Sequence, residues 1–102
     1  MQFTGGIHYG ENYYVALNAT WPFARLRIER GSVHLNTTFF KKFCFPRDQI
    51  IAISKYAGFF STGIQIEHKI AEYPPFIVFW TTGLERVKLA LMENGYIFVE
   101  NK

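Results

Sequence analysis

Phe76-Ile77-Val78-Phe79-Trp80, followed by Thr82-Gly83-Leu84-Glu85-Arg86-Val87-Lys88-Leu89-Ala90-Leu91-Met92-Glu93-Asn94-Gly95-Tyr96, is the stretch whose reading decides the fold. The opening residues are apolar at every position, as in a strand covered on both faces. The period then changes. Thr82 and Glu85 have the spacing of a capping box, in which the threonine caps a helix and the glutamate reaches back. Leu84, Val87 and Leu91 recur at helical spacing, so one stripe faces a core. Asn94-Gly95 supplies a left-handed stop on which Tyr96 can fold back. The spacing predicts one helix over residues 82–94.

Upstream of it the pattern is that of strands. Ala24, Leu26 and Ile28 alternate with Arg25, Arg27 and Glu29, and after Gly31-Ser32 the alternation resumes with Val33, Leu35 and Thr37. Two such runs joined by a short glycine turn read as an antiparallel hairpin. Lys42 to Phe45, Gln49 to Tyr56 and Ile64 to Ile70 add further strands, and Tyr13 to Asn18 is a weaker one broken off by Trp21-Pro22. Met1 to Asn12, with three glycines and no clear period, reads as an irregular lead-in. Six or seven short strands before one helix predict a mainly β chain with an antiparallel wall, since strand and helix do not alternate.

Composition bounds the rest. The 102 residues fit one domain, residues 1–102. A hydrophobic fraction of 49% and a charged fraction of 19% exclude a disordered chain. Aromatic residues make up 19%, which favours pleated, half-buried surfaces. The net charge of +3 is spread among acids rather than gathered into a stripe, so nucleic acid ranks low as a partner. The single cysteine, Cys44, points to a reducing, cytoplasmic setting. No apolar run has the length of a membrane-spanning helix, and the first residues lack the pattern of a secretion signal.

Trp21-Pro22-Phe23-Ala24-Arg25-Leu26, Phe45-Pro46-Arg47-Asp48-Gln49-Ile50, Gly63-Ile64-Gln65-Ile66-Glu67-His68 and Phe76-Ile77-Val78-Phe79-Trp80 resemble small bacterial proteins of the pleckstrin-homology (PH)-like superfold, whose roles are uncharacterised. The resemblance covers about residues 20 to 99. It implies a partly open barrel of two orthogonal antiparallel sheets, about seven strands in all, plugged by the C-terminal helix. Lipid-binding PH domains carry a basic cluster on the first strand pair. The comparable turns here, Asn18-Ala19-Thr20 or Arg30-Gly31-Ser32, carry no charge and one charge respectively, so the phosphoinositide pattern is not reproduced. A shared fold does not transfer a function.

The candidate interaction surface is aromatic. Phe39-Phe40-Lys41-Lys42 occupies a hairpin tip, where rings and ammonium groups suit a membrane interface of anionic lipid, or where the rings fold inward and the lysines keep an edge soluble. Phe59-Phe60, between Gly58 and Gly63, forms a second aromatic loop, and a simple meander would set it beside the first as one apolar patch. His8, His34 and His68 sit on separate segments without metal-site spacing, and His68 shares parity with inward-facing isoleucines, as a hydrogen-bonded core histidine does. Cys44 reads as a buried or edge thiol. No paired carboxylates, phosphate loop or nucleophile elbow is present in sequence, so the expectation is a non-catalytic domain without metal or cofactor. Three uses follow in order: binding a protein partner or a second copy, with the sheet edge near residues 32–38 or the Phe59 loop as the first place to look; peripheral binding to anionic lipid; and carriage of a small hydrophobic ligand in a barrel mouth lined by Trp21 and Trp80.

Overall fold

Backbone amides and carbonyls must pair once buried, and in this chain they do so mainly by a long strand ladder. The structure is a computed structural model that describes residues 1–11, 16–38, 42–58 and 61–100, with residues 16 and 17 followed along the backbone only. Its elements are β1 (Gln2–Gly10), β2 (Ala16–Ile28), β3 (Ser32–Thr37), β4 (Lys42–Pro46), a 3-10 turn (Arg47–Gln49), β5 (Ile50–Ala57), β6 (Thr62–His68), β7 (Phe76–Trp80), α1 (Leu84–Glu93) and β8 (Phe98–Val99). The eight strands form one sheet in the order β4-β3-β2-β1-β7-β6-β5-β8. All neighbours are antiparallel except the short β5–β8 pair, so the sheet is mixed rather than purely antiparallel. Its terminal strands β4 and β8 are not paired with each other, and the wall stays open.

The hairpin read from alternation is present: Ala24 pairs with Thr37, Leu26 with Leu35 and Ile28 with Val33. Its apolar set is buried and Arg25, Arg27 and Glu29 are exposed. Phe43, Phe45, Phe79, Ile7, Leu26, Leu35, Ile64, Ile66, Ile77 and Leu91 fill the core. α1 buries Val87, Ala90 and Leu91 against it, with Leu84 partly covered.

The lead-in is where sequence and structure part. Most of the expected lead-in is not irregular: residues 2–10 form β1, which pairs with β2 and with β7. Its inward positions are Phe3, Gly5, Ile7 and Tyr9, an alternation that Gly5 conceals. The glycines are there because the backbones crowd. A Cβ on Gly5 would lie 2.0 Å from the Trp80 carbonyl oxygen, and one on Gly6 would lie 2.7 Å from that of Ala19. Trp21-Pro22 does not end a strand either. β2 runs through it, and residues 20–23 bulge where the β1 register passes from Gly5 to Ile7. Proline is tolerated at such a bulge because no ladder bond is asked of its nitrogen.

The helix ends are settled differently from each other. At the N-terminus the capping box is not formed: Gly83 is the cap residue, no side chain bonds to the first turn, and Thr81 Oγ1 instead accepts the Gly83 N–H at 3.0 Å. At the C-terminus Gly95 has φ 88°, the left-handed value that favours glycine. Its N–H donates to Met92 O and that of Tyr96 to Leu91 O, the Schellman arrangement. Tyr96 is folded back and buried, and its hydroxyl donates to Glu29 O at 2.6 Å. The Arg47 guanidinium lies over the Tyr96 ring, 4.6 Å from its centre, and donates to Arg30 O, Asn94 O and Gly95 O. A cation at the negative end of a helix is favourable, and this one also ties the helix to the β2–β3 turn.

Two outcomes follow for urea unfolding. Gly5→Ala and Gly63→Ala, whose new Cβ atoms would each meet a backbone oxygen at 2.0 Å, are expected to lose about 2–4 kcal/mol. Gly31→Ala, with nothing within 4 Å, should stay within about 0.5 kcal/mol of the parent. Equal effects at all three positions would contradict the packing. Burial pushes the Tyr96 hydroxyl above its ordinary value of 10.0, with the nearby Arg47 charge pulling more weakly the other way, and burial raises Tyr9 as well. The unfolded chain therefore ionises first. This contribution is complete below the ordinary tyrosine value and is lost as pH climbs through the folded-state one. Tyr96→Phe should cost about 1 kcal/mol at neutral pH and flatten the alkaline decline; an unchanged alkaline slope would contradict the assignment.

Candidate binding cleft and outer aromatic face

Because β7 is covered on both sides, its outward positions need partners of their own. Ile77 and Phe79 enter the core, whereas Val78, also fully buried, does not belong to that cluster. Outward-facing rings lie along the same face. His8 of β1 meets Phe76 edge-on at 5.7 Å and Trp80 at 6.1 Å. Tyr56 of β5 meets Phe76 at 5.5 Å and Trp80 at 5.8 Å. All four rings are half-buried. His8 Nδ1 also lies 3.3 Å from the Asn18 side-chain oxygen, which fixes the ring against β2.

Trp80 joins this face to a cleft of about 780 Å³. Asn18, Thr20 and Trp21 of β2 line one side; Gly6 and Trp80 come from the central strands. Lys55, Gly58, Ser61 and Thr62 line the other side, and Thr81, Thr82 and Leu84 close the end toward α1. Glycine shapes the site twice. A Cβ on Gly58 would lie 2.8 Å from the Trp80 ring, so the indole occupies the room that residue leaves, whereas Gly63, paired with Trp80 in the ladder, lets the β7 backbone approach: a Cβ there would meet the Phe79 carbonyl oxygen. Trp21 is the opposite case: the bulge in β2 carries it outward and leaves it 68% exposed. Among the described residues the cleft thus has one anchored indole, one exposed indole, a set of hydroxyl and amide groups, and one charged residue, Lys55.

The candidates named from the sequence fare unevenly. Phe39, Phe40, Lys41, Phe59 and Phe60 lie outside the described residues. Lys42 is exposed at the start of β4, opposite Asn36. The strands are not a simple up-and-down meander, since β4 and β5 are not neighbours in the sheet; the two aromatic loops themselves fall outside the described residues. Residues 32–37 are not a sheet edge, because β3 pairs with both β2 and β4. The edge strand on that side is β4. There the Cys44 N–H donates to the Tyr73 hydroxyl at 3.0 Å, which blunts that edge, and the thiol is exposed.

His68 is a hydrogen-bonded histidine, as its parity indicated. Its Nδ1 accepts the Ile70 N–H at 3.0 Å, so Nε2 carries the proton and donates to Pro74 O at 2.8 Å. Trp21 and Trp80, paired from the sequence as the lining of a ligand site, both line this cleft. Sequence reasoning paired Trp21 with Trp80 but did not find His8, Asn18 or Tyr56. The outward alternation His8-Tyr9 and Tyr56-Ala57 carried that signal, but it could not be read while residues 1–12 lacked a strand. No family model matches the chain, and no curated protein matches it in sequence.

Proposed function

We propose that this chain is a non-catalytic interaction domain of PH-like layout, working in a reducing, cytoplasmic setting, that holds a protein partner on its outer aromatic face and anchors it in the Trp21–Trp80 cleft. The layout is supported by the strand order: β1 to β4 and β5 to β7 run as consecutive antiparallel ladders that meet at β1–β7, and the helix follows. The single observation that carries the binding reading is Trp21. An indole 68% exposed, set on a bulge beside a second tryptophan and a row of half-buried rings, has no role in the core. Large aromatic side chains with a polar end are enriched at interfaces and dominate their energetics when a partner covers them. The hydroxyl and amide groups around the cleft supply the hydrogen bonds that orient an extended segment.

A random linear peptide library displayed on phage and panned against the folded chain tests this. Enriched peptides should bind the parent and lose about tenfold or more in affinity on Trp21→Ala. The variant's fold, checked by circular dichroism, should be intact because Trp21 lies outside the core. Peptides that bind equally without Trp21, or no enrichment at all, would contradict the reading. A dimer by light scattering that Trp21→Ala disperses would identify the partner as a second copy.

A further inference from the structure

Charge in the cleft is lopsided. Among the described residues that line it, Lys55 is the only one with a formal charge; the remainder are indoles, glycines, hydroxyls, an amide and a leucine. The ammonium group is exposed and stands on β5, across the cleft from Trp21 on β2. Glu100 is one acid within its electrostatic reach, and that carboxylate is ion-paired with Lys88 at 2.9 Å. The chain as a whole carries +3.

From this we infer that the partner segment held in the cleft is acidic: it sets an apolar or aromatic side chain between Trp21 and Trp80 and a carboxylate against Lys55. The inference rests on the proposed binding role of the cleft and adds the chemistry of what fills it. The two indoles take the apolar group, because burying it there removes apolar surface from water on both partners. The carboxylate answers the Lys55 ammonium, and complementary charge of this kind sets which partner is accepted and in which register. The hydroxyls of Thr20, Ser61, Thr62 and Thr81 accept and donate without charge, so they accommodate the backbone of the segment and do not compete for its acid. A basic segment is repelled at the same place, and that repulsion contributes to discrimination as much as the new attraction does.

The peptides enriched on the folded parent chain are the probe. Their sequences should pair an aromatic or aliphatic residue with Asp or Glu. Lys55→Glu should weaken them about tenfold, Lys55→Arg should restore most of the loss, and changing the peptide's acid to Lys should recover binding to Lys55→Glu. Affinity for the parent should also fall as salt rises. Enriched peptides without acids, or ones that need Trp21 but ignore Lys55→Glu, would overturn the inference and leave the binding role of the cleft standing. Peptides indifferent to both residues would remove the binding role itself. Binding to neutral glycans on an array, with no peptide enriched, would overturn the assignment to a protein segment.

Discussion

The close approach of β1 to its two neighbours is the constraint on which the rest of the molecule depends. A strand that pairs on both sides, as β1 does over residues 7–10, must let two other backbones within hydrogen-bonding distance. At Gly5 and Gly6 the neighbours come closer than a side chain allows, since a Cβ there would meet carbonyl oxygens of β7 and β2. β1 joins the β2–β4 ladder to the β5–β7 ladder. Without it the chain has two small sheets, each with an open edge; with it the sheet is continuous and its inner face closes over one core. The bulge in β2 has the same origin. β2 spends residues 20–23 opposite a single residue of β1, and Trp21 is carried out on that excursion. The exposed indole is thus a consequence of the same crowding that holds the sheet together.

The helix is fixed at its far end more firmly than at its near one. Its C-terminus has a left-handed glycine, two reverse hydrogen bonds, a buried tyrosine and the Arg47 guanidinium donating to three carbonyls. Its N-terminus has no side-chain cap, and it begins at the cleft. The arrangement puts rigidity where α1 meets the β2–β3 turn and leaves the cleft end bounded by Thr81, Thr82 and Leu84.

How much of this was legible in the sequence depended on how local each cause is. Alternation from Ala24 to Thr37 and helical spacing from Leu84 to Leu91 report their own burial, and both elements stand where that periodicity set them. Asn94-Gly95 named its turn because the left-handed backbone is a local demand. Gly5 and Gly6 misled because their cause is not local: they answer to residues 19 and 80, and a glycine that makes room for a distant strand looks like a glycine that makes a loop. The capping box failed because the helix starts one residue later than the motif places it: Gly83, not Thr82, is the cap residue, and it has no side chain to offer the first turn. The pairing of Trp21 with Trp80 was legible as a pair of rings. That they flank a surface cleft followed only from the bulge in β2 and the glycines beside Trp80.

The cleft needs β1 in the middle of the sheet, and hydrogen–deuterium exchange of the backbone amides tests that most directly. Amides of a central strand open only with the whole fold, whereas those of an unpaired lead-in exchange freely. The amides of Ile7 and Tyr9 should be as slow as those of Ile77 and Phe79, their neighbours in β7. Exchange of residues 2–10 at the rate of a free peptide, with β7 protected, would contradict a central β1.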